Sequence, residues 1–210
     1  MTYFINNLKR LYSNLRNSEV HVQAKLDEIK PVPDIAPFYV KKIDLNNSDE
    51  VASWVEVMND AYDDSEINLE QALNLLTKHH FLDDTETFLV FDENKVIASV
   101  STGIYRSNKQ YGGVFRLSVR KDYQGKGLGK FIILHGFHHL KNSGIKYGES
   151  VITSYRETSI ITHFKCGFKP QFDPLKIIHK NSNYNRNFIQ RFRANKALKS
   201  AMKIYSANSR

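Results

Sequence analysis

The 210-residue chain is expected to adopt a mixed α/β (α+β) fold: a central mixed sheet flanked by helices, with helical extensions at both ends. Three observations predict it. Short apolar runs rich in Val, Ile, Phe and Thr alternate with segments of helical periodicity. The run Val114 to Val119 leads into the glycine-rich turn Gln124-Gly125-Lys126-Gly127-Leu128-Gly129, which opens directly into a helical pattern through Lys141. Apolar side chains also recur at helical spacing near both termini.

In chain order, residues 4–29 read as an amphipathic helix, with Ile5, Leu8, Leu11, Tyr12 and Leu15 on one face. Pro31, Pro33 and Pro37 make an extended linker. Phe38 to Leu45 reads as a strand. Ser48 can cap a helix reaching about Tyr62, burying Val51, Trp54, Val55 and Met58. Leu69 to His80 is a second helix carrying Leu69, Leu73 and Leu76. Thr87 to Phe91 and Val96 to Tyr105 form a hairpin turned by Asp92-Glu93-Asn94-Lys95. A turn at Gly112-Gly113 precedes the strand Val114 to Val119, and Gly127 to Lys141 is the helix after the glycine turn. Tyr147 to Thr153 is a strand and Thr158 to Cys166 a helix. Phe168 to Phe172 and Leu175 to His179 make a last strand pair, and Asn187 to Tyr205 a basic helix. These elements suggest an N-terminal helix and linker over 1–37, a central domain over 38–180 and a basic helical tail over 181–210.

A strand that ends in a glycine turn and opens into a helix is suited to binding an anion. The first amides of the helix have no intrahelical partner, and the helix dipole adds positive charge there. Glycines admit positive φ and let the backbone approach a phosphate. A P-loop would need Ser or Thr after its lysine, and none follows Lys130. A dinucleotide fingerprint would need glycine where Lys130 stands. The spacing fits Q/R-x-x-G-x-G/A instead, with Gln124, Gly127 and Gly129 in register. This resembles the acyl-CoA pyrophosphate loop of the GNAT superfamily of N-acyltransferases. The approach Leu117-Ser118-Val119-Arg120-Lys121-Asp122-Tyr123 is similar to that family's L-x-V-x-P-x-Y, with Lys121 in place of proline. A second segment, Ser159-Ile160-Ile161-Thr162-His163-Phe164-Lys165-Cys166-Gly167-Phe168, resembles the family's later helix and its exit, roughly forty residues downstream. Ser159, His163, Lys165, Gly167 and Phe168 fall in register, while Arg156 takes the usual asparagine position. The resemblance covers about residues 38–180 and implies the GNAT-type fold.

The resemblance also implies a chemistry, acyl transfer from acetyl-CoA to an amine. Such a reaction needs positioning, a neutral amine, stabilisation of an oxyanion and a proton for the departing thiolate. By the family's pattern, the backbone of Leu117, Ser118 and Val119 holds the pantetheine arm and thioester. The amides of Gln124, Gly125, Lys126, Gly127, Leu128, Gly129 and Lys130 hold the pyrophosphate. Lys121, Lys126 or Lys130 can meet the nucleotide phosphates, although solvated lysine is the plain reading of each. His163 stands where relatives place a proton donor to the thiolate. The base stays open between Glu149, then Asp60 or Asp63, then a chain of waters. Asp60, Asp63, Asp64 and Glu66 cluster where the fold places an acceptor loop, and Asp60 and Asp63 are the candidates for binding the acceptor. Trp54 and Tyr62 read as core.

Composition sets the remaining bounds. With 41% hydrophobic residues the chain can bury one good core. No apolar run approaches transmembrane length, roughly 18 residues, and Met1 to Asn7 does not read as a signal peptide. The single Cys166 excludes an intrachain disulfide and suits a reducing compartment, so a cytoplasmic location is expected. His135, His138 and His139 read as a surface cluster, because Gly136 stands where a metalloprotease needs Glu; no metal is expected. The net charge of +8 conceals segregation: residues 44–93 sum to −13, while 94–173 and 174–210 each sum to +9. This suggests an acidic half toward a cationic acceptor and a basic half toward a phosphorylated donor. The expected protein is thus an acetyl-CoA-dependent N-acetyltransferase acting on a primary amine of a small molecule or amino sugar. The alternative is a non-catalytic acyl-CoA-binding module whose basic tail docks on nucleic acid, a membrane or a partner protein. Packing or homodimer contact through the terminal helices is favoured over nucleic-acid or membrane contact by the basic tail.

Overall fold

The computed structural model describes residues 19–62, 66–153 and 156–170. The chain divides into two compact units, Ala24–Ser150 and a second formed by Met1–Gln23 with Val151–Arg210. Strand β1 (Glu19–Lys25) lies where the helix over 4–29 was expected to continue, which corrects that expectation for the described part. Val20, Val22 and Ala24 are buried and alternate with more exposed neighbours. That period of two belongs to a strand. The residues that carry the helical spacing, 5–15, lie outside the described residues, as does the expected helix Asn187 to Tyr205.

Within Ala24–Ser150, β2 (Tyr39–Lys42), β3 (Leu82–Asp92), β4 (Lys95–Tyr105) and β5 (Tyr111–Val119) pair antiparallel in sequence, and β6 (Tyr147–Thr153) joins β5 in parallel. Within this unit the hydrogen-bonded strand order is β2-β3-β4-β5-β6, a mixed sheet, while β7 (Lys169–Pro170) belongs to the second unit. Helix α1 (Ser48–Ala61) is capped by Asn47, one residue before the expected Ser48; its side chain accepts from the amides of Asp49 and Glu50. Helix α2 (Leu69–Thr77) starts with a capping box between Asn68 and Gln71. It ends before His79 and buries Ala72 and Leu76, leaving Leu69 and Leu73 exposed, so only Leu76 of the three expected leucines faces the core.

Ile43, Val51, Trp54, Val57, Met58, Ala72, Leu76, Leu89, Phe91 and Val96 form one core cluster beneath α1 and α2. Helix α3 (Leu128–Asn142) packs on β4 and β5. A Cβ on its Gly136 would stand 3.1 Å from Thr102 and from Val114, so the glycine permits a close helix–sheet approach. Strand β4 is buried along nearly its whole length, as a strand covered on both faces must be. Gly112 and Gly113, expected in a turn, lie inside β5. A Cβ at Gly112 would come within 2.9 Å of Leu140, which makes helix packing the reason for that glycine.

In the second unit, Val22 and Gln23 of β1 pair antiparallel with Pro170 and Lys169 of β7. Helix α4 (Glu157–Lys165) buries Ile160 and Phe164. It closes as the sequence suggested: Gly167 takes φ 105°, its amide donates to the Phe164 carbonyl, and the Phe168 amide donates to that of His163. This is a Schellman exit, which satisfies two end carbonyls of the helix.

Candidate active site

The glycine turn is assembled from the strand end forward. Arg120 leaves β5 with its amide donating to Ile97 O and its Nε to Val96 O, while its guanidinium pairs with Glu56 of α1 at 2.8 Å. A short 3-10 turn, Lys121–Tyr123, follows. Asp60 Oδ2 accepts from the Lys121 amide at 2.7 Å, and the Tyr123 hydroxyl donates to Asp92 at 2.6 Å. That bond to Asp92 holds the Tyr123 phenol well up, at about 12. Gln124 folds its side-chain amide back to Val119 O at 3.2 Å. The loop is therefore fixed to α1 and to the end of β3 before the glycines begin.

Gly125 (φ 80°) and Gly127 (φ 87°) take left-handed conformations, and Gly127 is the N-cap of α3. No side chain caps this helix and its first turn carries no acid. A Cβ at Gly125, Gly127 or Gly129 would meet no atom of the described residues within 4 Å. Backbone φ explains the first two glycines, but nothing in the protein requires glycine at 129. Lys126 Nζ stands 4.4 Å above the Tyr123 ring, beside the turn. The amides of Leu128, Gly129 and Lys130 thus open a helix at a glycine turn, an arrangement suited to a diphosphate.

Upstream of the turn, β5 and β6 part. Their parallel register runs from Tyr111–Tyr147 to Gly113–Glu149, and Ser150 Oγ then bonds Val114 O at 3.2 Å. Beyond Val114 the register of β5 is with β4 alone among the described residues, and there it carries a bulge. Arg116 at the bulge has φ 48°, and its half-buried guanidinium donates to the Leu75 carbonyl near the end of α2. Burial holds the Arg116 pKa below the ordinary arginine value. Leu117 O accepts from the Tyr62 hydroxyl at 2.6 Å, and Ser118 Oγ meets Ser99 Oγ at 2.7 Å in a buried pair.

The other candidates fall in several places. Glu149 lies opposite Gly113, four residues up-strand of Leu117, or roughly 13 Å at the rise of a strand. Tyr105 shares that end of β5: burial first, then the Glu149 carboxylate, push its phenol up to about 12. Asp63 and Asp64 lie outside the described residues. His163 is only 3% exposed, and burial lowers it to about 4. Its Nδ1 lies 2.8 Å from Ser159 O; a carbonyl can only accept, so the proton sits on Nδ1. Nε2 then presents a lone pair, with no partner among the described residues. With a pKa near 4, about one molecule in a thousand is protonated at neutral pH, so this ring is poorly placed to donate a proton. It packs edge-on against Phe168 instead. The three α3 histidines serve structure: His139 pairs with Glu86, His138 bonds Lys30 O, and His135 lies between Phe88 and Phe131.

Two residues of this region escaped the sequence reading. Tyr62 looked like core and does pack partly against it, yet its hydroxyl reaches a carbonyl 55 residues away. Arg116 showed no signal, because neither its positive φ nor its carbonyl partner has a local sequence mark.

Comparison with known proteins agrees with the geometry. Residues 51–168, more than half of the chain, match the acetyltransferase (GNAT) family. The fold is similar to that of a GCN5-related N-acetyltransferase from Sphaerobacter thermophilus, with TM-score 0.58, 13% identity, and coverage of 73% of this chain and 48% of that one. It is also similar to a tandem GNAT protein from the clavulanic acid biosynthesis pathway, at TM-score 0.58 and 14% identity over 72% of this chain and 50% of that one. A GCN5-related N-acetyltransferase from Kribbella flavida matches at TM-score 0.50 and 13% identity over 76% and 59%. At such identities the likeness is one of fold, and this chain spans only about half to three-fifths of those structures. No curated protein matches the sequence. With the strand, turn and helix of its phosphate cradle inside the matched region, the chain belongs to the GNAT acetyltransferase family.

Proposed function

We propose that the protein is an N-acetyltransferase that takes its acyl group from acetyl-CoA and passes it to a primary amine of a small molecule or amino sugar. The observation that carries this reading is the glycine turn at Gly125, Gly127 and Gly129, above all Gly129, where no neighbour among the described residues accounts for the missing Cβ. The amides of the first turn of α3 would hold the diphosphate, with Lys126 and Lys130 adding positive charge. The backbone of Leu117 to Val119, past the point where β6 leaves β5, would line the pantetheine arm. Acetyl-CoA supplies an activated thioester; the chain supplies orientation and proton handling. Glu149 remains the first candidate for taking the amine proton, with a water chain to cover the distance. Asp60, already bonded to the Lys121 amide, is better suited to holding the loop than to binding an acceptor.

One observation favours the second reading, a module that binds acyl-CoA without turnover: the sealed, neutral ring of His163 at the family's proton-donor position. Release of free thiol from acetyl-CoA, measured across a panel of amines, alcohols and thiols, separates the two. Primary amines are expected to raise thiol release well above the no-acceptor rate. A panel in which hydroxyl compounds outperform every amine would sink the N-acyl assignment. Tight CoA binding with no release for any acceptor would select the binding module.

A further inference from the structure

The Tyr62 hydroxyl stands at the stretch of β5 along which the acyltransferase reading lays the thioester. Tyr62 follows α1 directly, and its amide donates to Met58 O at 3.0 Å. Nearby, Asn59 Nδ2 donates to Ile67 O at 2.9 Å, and the Ile67 amide donates to Asn59 Oδ1 at 2.8 Å. The ring packs partly against the core cluster, which fixes its direction. From there the phenol reaches Leu117 O at 2.6 Å, on the stretch of β5 that β6 has left. The hydroxyl thus ends on the backbone of the residue at which the thioester-holding stretch begins.

We propose that Tyr62 is a catalytic residue that protonates the leaving sulfur. The proposal rests on the acyltransferase reading above, with the thioester lying along Leu117 to Val119. As the amine nitrogen forms its bond to the acyl carbon, the carbon–sulfur bond breaks and its electron pair passes to sulfur. Tyr62 Oη then turns its proton from Leu117 O to the sulfur, and the free thiol leaves. The proton lost by the amine nitrogen returns through solvent to the phenolate, so the cycle closes without another reactant. Leu117 O holds the phenol between turnovers with its proton on the donor side.

The test uses the full chain with Tyr62→Phe and, separately, 3-fluorotyrosine placed at position 62. For Tyr62→Phe, kcat is expected to fall about 100-fold, the range of a lost general acid, while the acetyl-CoA KM stays within about twofold. The fall in kcat at high pH should disappear in Tyr62→Phe. In the fluorotyrosine protein it should move to lower pH, because fluorine acidifies the phenol; a purely structural phenol would not shift it. The fluorine NMR signal should also move when CoA is added without acceptor, a readout independent of turnover and of any misfolding of the phenylalanine variant. CoA that binds by calorimetry but leaves the fluorine signal and the alkaline limb unmoved would overturn the role of Tyr62 alone. Wild-type protein that binds no CoA would overturn the donor reading and the proposal with it.

Discussion

At Gly129 a Cβ would meet no atom of the described residues within 4 Å, and the residue lies in ordinary helix rather than at positive φ. Gly129→Val is therefore expected to keep its melting temperature within a few degrees while weakening CoA binding tenfold or more, about 1.4 kcal/mol. Calorimetry on the folded variant reads this directly, and unchanged affinity would remove the loop from the donor site. Gly127 is a less informative position, since φ 87° would strain any other residue with or without a ligand. His163 makes a separate prediction about pH. Its folded pKa, about 4, lies below the unfolded value near 6.5, so between these the unfolded chain binds the extra proton. The stability is complete above pH 6.5 and is lost as pH falls toward 4, by about 3 kcal/mol at most. Burial lowers His79 and His135 as well, and they act in the same direction. Thermal melts between pH 6.5 and 4.5 should show a steady fall in wild type and a much flatter profile in His163→Leu. Equal slopes would mean that the ring is protonated in the native protein.

The elements around the site are joined by a few long-range polar contacts. Arg116 is one: it leaves the bulge of β5 and donates to the Leu75 carbonyl, one of the last in α2. Helix ends leave such carbonyls without intrahelical partners, so the guanidinium acts as a distant cap as well as a strut. Arg116→Met keeps much of the apolar stem and removes the donor. It is expected to lower stability by about 1–3 kcal/mol, the range for stranding a part-buried carbonyl, as measured by denaturant or thermal unfolding. If the contact also holds α2 against β5 for catalysis, kcat should fall beyond what the stability loss explains. A variant as stable as wild type would reduce the contact to a surface accident. The elements themselves were largely legible. The hairpin, the glycine-turn helix, β6 and the Gly167 exit follow from period, turn residues and capping, which act over a few neighbours. Strand β1 was misread because the helical spacing of residues 5–15 was extended into Val20, Val22 and Ala24, whose period is two.

Charge shows how the whole molecule redistributes what the sequence segregates. The acidic block 44–93 suggested a surface turned toward a cationic acceptor. In the fold, Glu50 pairs with Lys41, Glu56 with Arg120, Asp83 with Arg106 and Lys109, and Glu86 with Lys42 and His139. Asp60 and Asp92 accept from Lys121 and Tyr123. Most of these contacts are exposed and worth about 1 kcal/mol or less each, and they tie part of the acidic block to neighbouring basic residues rather than leaving it as one open acidic face.

The family, the glycine turn that opens α3 and the order of most elements were determined by the sequence alone, because each rests on residues close together in the chain. Strand periodicity, a glycine spacing and a helix N-terminus need no distant partner to be recognised. The tertiary structure decided the rest. It buried His163 and left its proton on Nδ1, bonded to the Ser159 carbonyl. It turned Asp60 toward a loop amide, and it brought Tyr62 to Leu117 across 55 residues. Protonation state and hydrogen-bond partner depend on what lies around a side chain in space, and no spacing along the chain encodes that.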